Sequence, residues 1–318
     1  MQARPAAWPG AKLRIATRGS PLARWQAGRV GELVAAVPDG PGFELVVVRT
    51  RGDELADVPV ASIGGQGAFV KEVQSAVLDG RADVAVHSAK DLPSTTPDGL
   101  VLACIPERAD PRDALVGSAL GDLAPGATVA TGSVRRQAQL AWLRPDLTFC
   151  ELRGNMATRV ERAERAGAGV VALAALERLG LGSHVTDVLD VDTMVPQVAQ
   201  GAIAVECRRD DAATRQLLQE IDDGDAHEAV TAERAFLATL GGGCTLPLGA
   251  LCTGRGGDGD LALDGMLASR DGHVLLRRHG VGRDATELGT RIASELLDEC
   301  GGRALEDWSR PGAEGGSR

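Results

Sequence analysis

Short apolar runs alternate with stretches whose apolar positions recur every three or four residues, and this alternation predicts a layered α/β chain. The run KLRIAT reads as a strand, after which Ser20-Pro21 starts a helix whose apolar positions Leu22, Trp25, Val30, Leu33, Val34 and Val37 keep helical spacing. FELVVVRT is a second strand, Phe69, Val70, Val73, Ala76 and Val77 mark another helix, and DVAVHS follows as a third strand. This βαβαβ order is the signature of a parallel sheet. The pattern restarts after PRDALV with strand ATVAT, a helix from Ser133 through Leu143, strand LTFCEL, a helix from about Asn155 and strand GVVAL.

The strand AIAVEC, residues 202–207, returns the chain to its first half. The expected organisation is therefore a first α/β lobe from residues 1–106 and 201–222 and a second from 107–200, with two crossings and a cleft between them. The character changes near residue 228, where a helix (Val230 to Leu240), a glycine-cysteine loop, the runs LGALCT, DLALDGMLAS and HVLLRRH, and a last helix (Ala285 to Leu297) predict a small α+β unit over 223–318. Its tail, SRPGAEGGSR, has the composition of disorder. The expected fold class is α/β, with two lobes of mixed, mainly parallel sheets plus this small C-terminal domain.

Composition narrows the partners. With 318 residues and 44% hydrophobic content the chain can bury real cores. A net charge of −10, no tyrosine and 3% aromatic residues argue against nucleic acid bound by bulk electrostatics or base stacking. The first residues, MQARPAAWPGAKL, contain no continuous apolar stretch, and no window approaches the roughly 20 apolar residues of a membrane span, so a cytoplasmic protein off the membrane is expected.

The cationic residues are unevenly written. Of 34 only Lys12, Lys71 and Lys90 are lysines, and two of these lie in motifs, GGQGAFVKE and VHSAKD. An ammonium is a compact point charge that a planar guanidinium does not replace, so the choice is either a requirement of a site or chance on a solvated face. Polar residues follow strand ends, where open parallel sheets bind ligands. Ser133, in TGSVRRQ, can cap the next helix while free N–H groups face an anion. Arg135 and Arg136 oppose the helix dipole unless a carboxylate or phosphate lies between them and the helix end. Arg153 and Arg159 in RGNMATR repeat the design, as do Arg18 and Ser20 in ATRGSPL.

Asp91 is either a turn carboxylate before Leu92-Pro93 or an anion kept ionised among cations, able to hold positive charge on a substrate. His87 reads as structural. The glycine-rich stretch RGDELADVPVASIGGQGAF looks like a lid. Six cysteines lack CxxC spacing, so neither zinc nor a disulfide framework is expected. Most read as small buried hydrophobes, but Cys244 in GGGCTLPLG has the setting of an attachment point, because a reactive thiolate needs an open, electropositive surround.

In order, RIATRGSPLARWQA, GGQGAFVKE, ADVAVHSAKDLP, TGSVRRQ, LRGNMATR, VAQGAIAVECR and ERAFLATLGGGCTLPLG closely resemble the porphobilinogen deaminase family, from about residue 12 to 300. The resemblance implies two lobes built like periplasmic binding proteins plus a third domain. The implied activity joins four porphobilinogen molecules into a linear tetrapyrrole with release of ammonia. It further implies a dipyrromethane cofactor held by a thioether on Cys244 and touched by Lys90, Ser133, Arg135 and Arg136. Asp91 would be the catalytic carboxylate beside a developing cationic azafulvene, and Arg18, Ser20, Lys71, Arg153, Arg159 and Arg178 would bind substrate carboxylates. No metal is implied.

Two positions depart from the family pattern: Gln66 stands where many members have lysine, which removes an ionic contact from the lid, and Ala199 stands where many have glycine, a change expected to matter less unless the position needs a positive φ. A non-catalytic anion binder of the same fold is the rival reading, but it has no use for the thiol or for an anion inside an anion site. A DNA-binding regulator would need a helix-turn-helix segment, and none of the chain is left over for one.

Overall fold

The computed structural model describes residues 12–50, 70–241, 246–254 and 259–305. Its strands are β1 (Lys12–Arg18), β2 (Gly42–Val48), β3 (Val84–Ser88), β4 (Leu100–Cys104), β5 (Asp113–Val116), β6 (Thr128–Ala130), β7 (Thr148–Cys150), β8 (Gly169–Ala172), β9 (Val185–Leu189) and β10 (Ile203–Arg208). They form two five-stranded sheets, ordered β2-β1-β3-β10-β4 and β7-β6-β8-β5-β9.

The two sheets have one topology. In each, a middle strand pairs in parallel with two neighbours, β1 with β2 and β3, β6 with β7 and β8. The remaining two strands pair antiparallel, β10 with β3 and β4, β5 with β8 and β9. The parallel strands are those the apolar runs predict. The structure adds β4, β5 and β9, which together with β10 make the sheets mixed.

Burial explains the strand sequences. All of Val84, Ala85, Val86 and His87 in β3 and every residue of β5 and β8 are buried, as expected of strands covered on both faces. The helix Pro21–Ala36 starts where expected, with Ser20 as N-cap accepting from the Ala23 N–H and Pro21 in the first turn. Its inner face is Gln26, Ala27, Val30, Gly31 and Val34, and Trp25, placed inside by periodicity, is 39% exposed instead. The helix Met156–Ala166 is capped by Asn155 and closed by Gly167 at φ 96°.

The last strands, β11 (Leu248–Thr253), β12 (Leu261–Ala268) and β13 (Leu275–Gly282), form an antiparallel meander under the helices Gly224–Thr239 and Ala285–Asp298. Phe236, Leu263, Ile292 and Leu296 fill the space between them. The same apolar cluster runs on into Ile105, Val198 and Ala202, so this unit is packed on the two segments that cross between the sheets, 105–112 and 190–202.

The crossings touch each other. The Ala109 N–H donates to the Gly201 carbonyl at 3.3 Å, and Gly201 has φ +87° with the Ala109 oxygen where a Cβ would stand. Only glycine fits there. Ala199, two residues earlier, has φ +58°. The departure from glycine at this position therefore does matter, since a Cβ in the left-handed region costs roughly 1–2 kcal/mol.

Candidate active site

Each sheet offers a loop at the end of its middle parallel strand. In the first, β1 runs through Arg18 into Gly19 and Ser20, whose hydroxyl satisfies the helix start at 3.3 Å. The neighbouring β3 ends in a single 3-10 turn, Ala89–Asp91, closed by the Leu92 N–H on the Ala89 carbonyl, and this turn presents Lys90 and Asp91. Arg18, Ser20, Gln26, His87, Ser88 and Asp91 line one recess. Gln26 and Ser88 exchange hydrogen bonds at 2.9 and 3.0 Å across it.

His87 is buried with Nε2 3.2 Å from Glu206, a fully buried carboxylate of β10 that also accepts from Gln74 at 2.9 Å. Such an enclosed pair supports the structural reading of this histidine.

In the second sheet β6 leads through Thr131-Gly132-Ser133 into the helix Val134–Leu143. Ser133 occupies the N-cap position, but contrary to the capping expectation its hydroxyl makes no cap hydrogen bond; its N–H donates to Thr131 Oγ1 at 3.2 Å. The hydroxyl is thereby not committed to the helix end. The carboxylate expected between the first-turn arginines and the helix is the protein's own. Asp113 of β5, with no exposed surface, lies 2.7 Å from Arg135 Nη2 and 2.7 Å from Arg136 Nη2. Arg135 also donates to the Val195 carbonyl at 2.6 Å and Arg136 to that of Val170 at 2.9 Å.

Burial alone would raise the Asp113 carboxyl, but Arg135 and Arg136 outweigh it and hold it well below the usual carboxylate range. Two cations share one anion, so a net positive charge persists at a helix N-terminus, where the dipole adds to it. The Arg136 guanidinium is hydrogen-bonded to Asp113 and Val170, whereas Arg135 has one hydrogen bond, to Val195, and an ion-pair contact with Asp113; both are buried, so what reaches the surface is mainly their field.

Arg153 pairs with Glu151 at 3.0 Å, and Arg159 donates from Nε to the Gly154 carbonyl at 2.9 Å. Burial lowers the Arg159 pKa, helped by Arg136 and Arg153 and opposed by Asp91. Lys90 is brought down to about 8 by burial first and by Arg136, while Asp91 and Asp113 oppose the shift. Lys90, Asp91, Arg136, Arg153 and Arg159 thus feel one another across the two sheets. Arg178 is set aside from them: it donates to the Gly201 carbonyl at 2.6 Å and lies 5.5 Å over the Trp25 ring, which explains why that tryptophan is outside the core. Burial lowers its pKa to about 10. Lys71 is exposed at the start of the helix Lys71–Leu78.

Cys244, Gln66 and the glycine-rich stretch 51–69 lie outside the described residues. Of the other cysteines Cys104, Cys207 and Cys252 are buried, and burial pushes the Cys207 thiol up to about 11 and that of Cys252 to about 12; Cys150 is exposed. Among the described residues no group of three His, Cys, Asp or Glu is placed to hold a metal, and no helix is long and apolar enough to cross a membrane.

Sequence reasoning passed over Asp113, Glu206 and Gln200. The signal for the first two was present as a lone acid in an apolar run, DALV and AIAVEC, since an isolated buried carboxylate requires partners.

Comparison with known proteins places these residues in context. The family model described as porphobilinogen deaminase, dipyromethane cofactor binding domain, matches residues 13–216, and that of the porphobilinogen deaminase C-terminal domain matches 227–298. The chain is similar to a curated protein of Syntrophobacter fumaroxidans named porphobilinogen deaminase, 44% identical over 93% of this chain and 97% of the relative. A protein of the same name from Roseiflexus castenholzii is 46% identical over 92% of this chain and 98% of that one. Among solved structures, a methionine binding protein, MetQ, is similar at 13% identity with a TM-score of 0.40, covering 70% of this chain and 95% of that chain. With both family models matched in order and the curated relatives covered almost end to end, the chain belongs to the porphobilinogen deaminase family.

Proposed function

We propose that the strand-end loops around Asp91 are where this enzyme joins porphobilinogen units head to tail, with loss of ammonia, into hydroxymethylbilane. The observation that carries the proposal is an exposed carboxylate, Asp91, surrounded by a surplus of positive charge. Arg18, Lys90, Arg135, Arg136, Arg153 and Arg159 outnumber Asp91, Asp113 and Glu151.

That surplus fits dipyrromethane, whose two rings carry four carboxylates. Lys90, Ser133, Arg135 and Arg136 would hold the cofactor, with Ser133 offering its uncommitted hydroxyl and Arg135 and Arg136 their field, and Cys244 would anchor it by a thioether. When bound, the group supplies the free pyrrole carbon that accepts the first substrate unit. Arg18, Ser20, Lys71, Arg153, Arg159 and Arg178 are assigned to substrate carboxylates. Asp91 stabilises the positive charge that develops on the substrate as ammonia leaves, which is the moment when a fixed anion in a partly dehydrated site has most effect. Residues 1–106 with 201–222, 107–200 and 223–318 act as three units, and the protein works as a cytoplasmic monomer.

Intact mass and peptide mapping of freshly purified protein test the anchoring. The expected result is two linked pyrrole units on the peptide carrying Cys244, and an unmodified Cys244 in active protein would overturn it. Cys244→Ser should fold but lack the cofactor, because a hydroxyl is a far weaker nucleophile at neutral pH.

A further inference from the structure

The second crossing carries a buried side chain to which the reaction assigns no role. Gln200 has no exposed surface and lies between Ala199 and Gly201, both at positive φ. Its Oε1 accepts from Lys90 Nζ at 3.2 Å, and its Nε2 donates to Asp113 Oδ1 and to the Pro111 carbonyl, each at 2.8 Å. An ammonium only donates, and a carboxylate and a carbonyl only accept, so the amide can sit only this way round.

The backbone is held equally firmly. The Gln200 carbonyl accepts from Arg108 Nε at 3.0 Å, and the two terminal nitrogens of Arg108 clasp Glu233 at 2.7 and 3.2 Å. Glu233, fully buried, also accepts the N–H groups of Ala199 at 2.5 Å and Cys252 at 2.8 Å. Gln197 adds a hydrogen bond to the Lys90 carbonyl at 3.2 Å.

We propose that Gln200 is a positioning residue for Lys90, a neutral spacer that fixes the ammonium while keeping it from forming an internal ion pair with Asp113. The inference rests on the proposed ligand-binding role of Lys90. A hydrogen-bonding amide orients a charge without cancelling it. Lys90 keeps its charge for a ligand carboxylate, and Asp113 stays reserved for Arg135 and Arg136. An anion at position 200 would capture Lys90, and an apolar group there would remove an acceptor from a half-buried ammonium. The charged groups facing Lys90 are Asp91 on its own turn, Asp113 from β5, and Arg135 and Arg136 from the helix that follows β6; of these only Asp113 is bonded to Gln200, and it keeps both arginines when residue 200 is changed.

With only Lys12, Lys71 and Lys90 in the chain, lysine-labelled protein gives three side-chain NMR signals, and Lys90→Arg assigns the relevant one. The Lys90 titration, expected near 8 in the parent, is followed in Gln200→Glu and Gln200→Met in a cofactor state matched by mass. Gln200→Glu should raise the midpoint by about one unit or more and Gln200→Met should lower it, with Lys12 and Lys71 unmoved. If either fails to fold by thermal melt, Gln200→Asn keeps the amide, shortens its reach and should likewise lower the midpoint. A Lys90 titration unchanged in folded variants overturns the proposal. A shifted midpoint with parental turnover supports the coupling and removes Lys90, not Gln200, from its assigned role.

Discussion

The two sheets share a topology but neutralise their buried acids differently. Each hides one carboxylate in its inner antiparallel strand: Asp113 of β5 is gripped by two arginines, whereas Glu206 of β10 is met by Gln74 and His87, with Arg234 acting on it through space. The loops diverge in the same sense. Ser20 uses its hydroxyl to cap a helix, and Ser133, at the matching place, does not. One fold thus yields a first lobe that presents an exposed carboxylate, Asp91, and a second that concentrates positive field. A repeated backbone does not impose a repeated electrostatic role, which is set by a few side chains on strands that pair late in the chain.

The largest effect expected is on stability. Asp113→Asn leaves Arg135 and Arg136 buried without their counter-ion and should cost about 3–5 kcal/mol in urea unfolding. Glu206→Gln, among mainly neutral partners, should cost nearer 1 kcal/mol. Equal losses would erase the contrast between the lobes. The Asp113 carboxyl lies below its unfolded value, so its contribution is complete above about pH 4 and is lost as pH falls through the folded pKa. Asp113→Asn should accordingly flatten the acid side of the stability profile, which melting at a series of pH values will show.

Asp91→Asn comes next, with single-turnover rates lower by about 10² and substrate binding altered much less, while Asp91→Glu falls between the two. A parental rate in Asp91→Asn, in protein verified by mass to carry the cofactor, would leave Asp91 a turn-forming carboxylate and place the chemistry in neither lobe's loop as assigned. The capping contrast predicts a loss of about 1 kcal/mol for Ser20→Ala and almost none for Ser133→Ala, whose effect should appear instead in cofactor retention. One change is a gain: Ala199→Gly relieves a left-handed Cβ and should stabilise by up to about 1 kcal/mol, once the extra freedom of the unfolded chain is subtracted.

The loops were legible in the sequence because their grammar is local. A serine before a helix, glycine at a strand end and arginines within two or three residues are all visible in one window, and the structure places Asp91, Lys90, Arg136, Arg153 and Arg159 within reach of one another. The rest depends on distant pairings. β5 is four residues long, too short to distinguish from part of a helix by periodicity. Trp25 kept helical spacing, yet its ring serves a guanidinium 153 positions further along the chain, a partner no window contains. Gln200 reaches Lys90 110 positions away and Asp113 87 positions away, so its role follows only from the folded arrangement.

The contact between Ala109 and Gly201 has a mechanical meaning. Two strips of chain joining two bodies ordinarily allow bending, twisting and sliding. Strips stitched to each other midway lose the last two, because twist or slide would stretch the stitch, and they keep only rotation about the line through it. With the Glu233–Arg108 clasp gripping both strips from the third unit, that line is pinned to the frame. A change in the angle between the two sheets would therefore be expected to turn about the Ala109–Gly201 contact rather than slide along it.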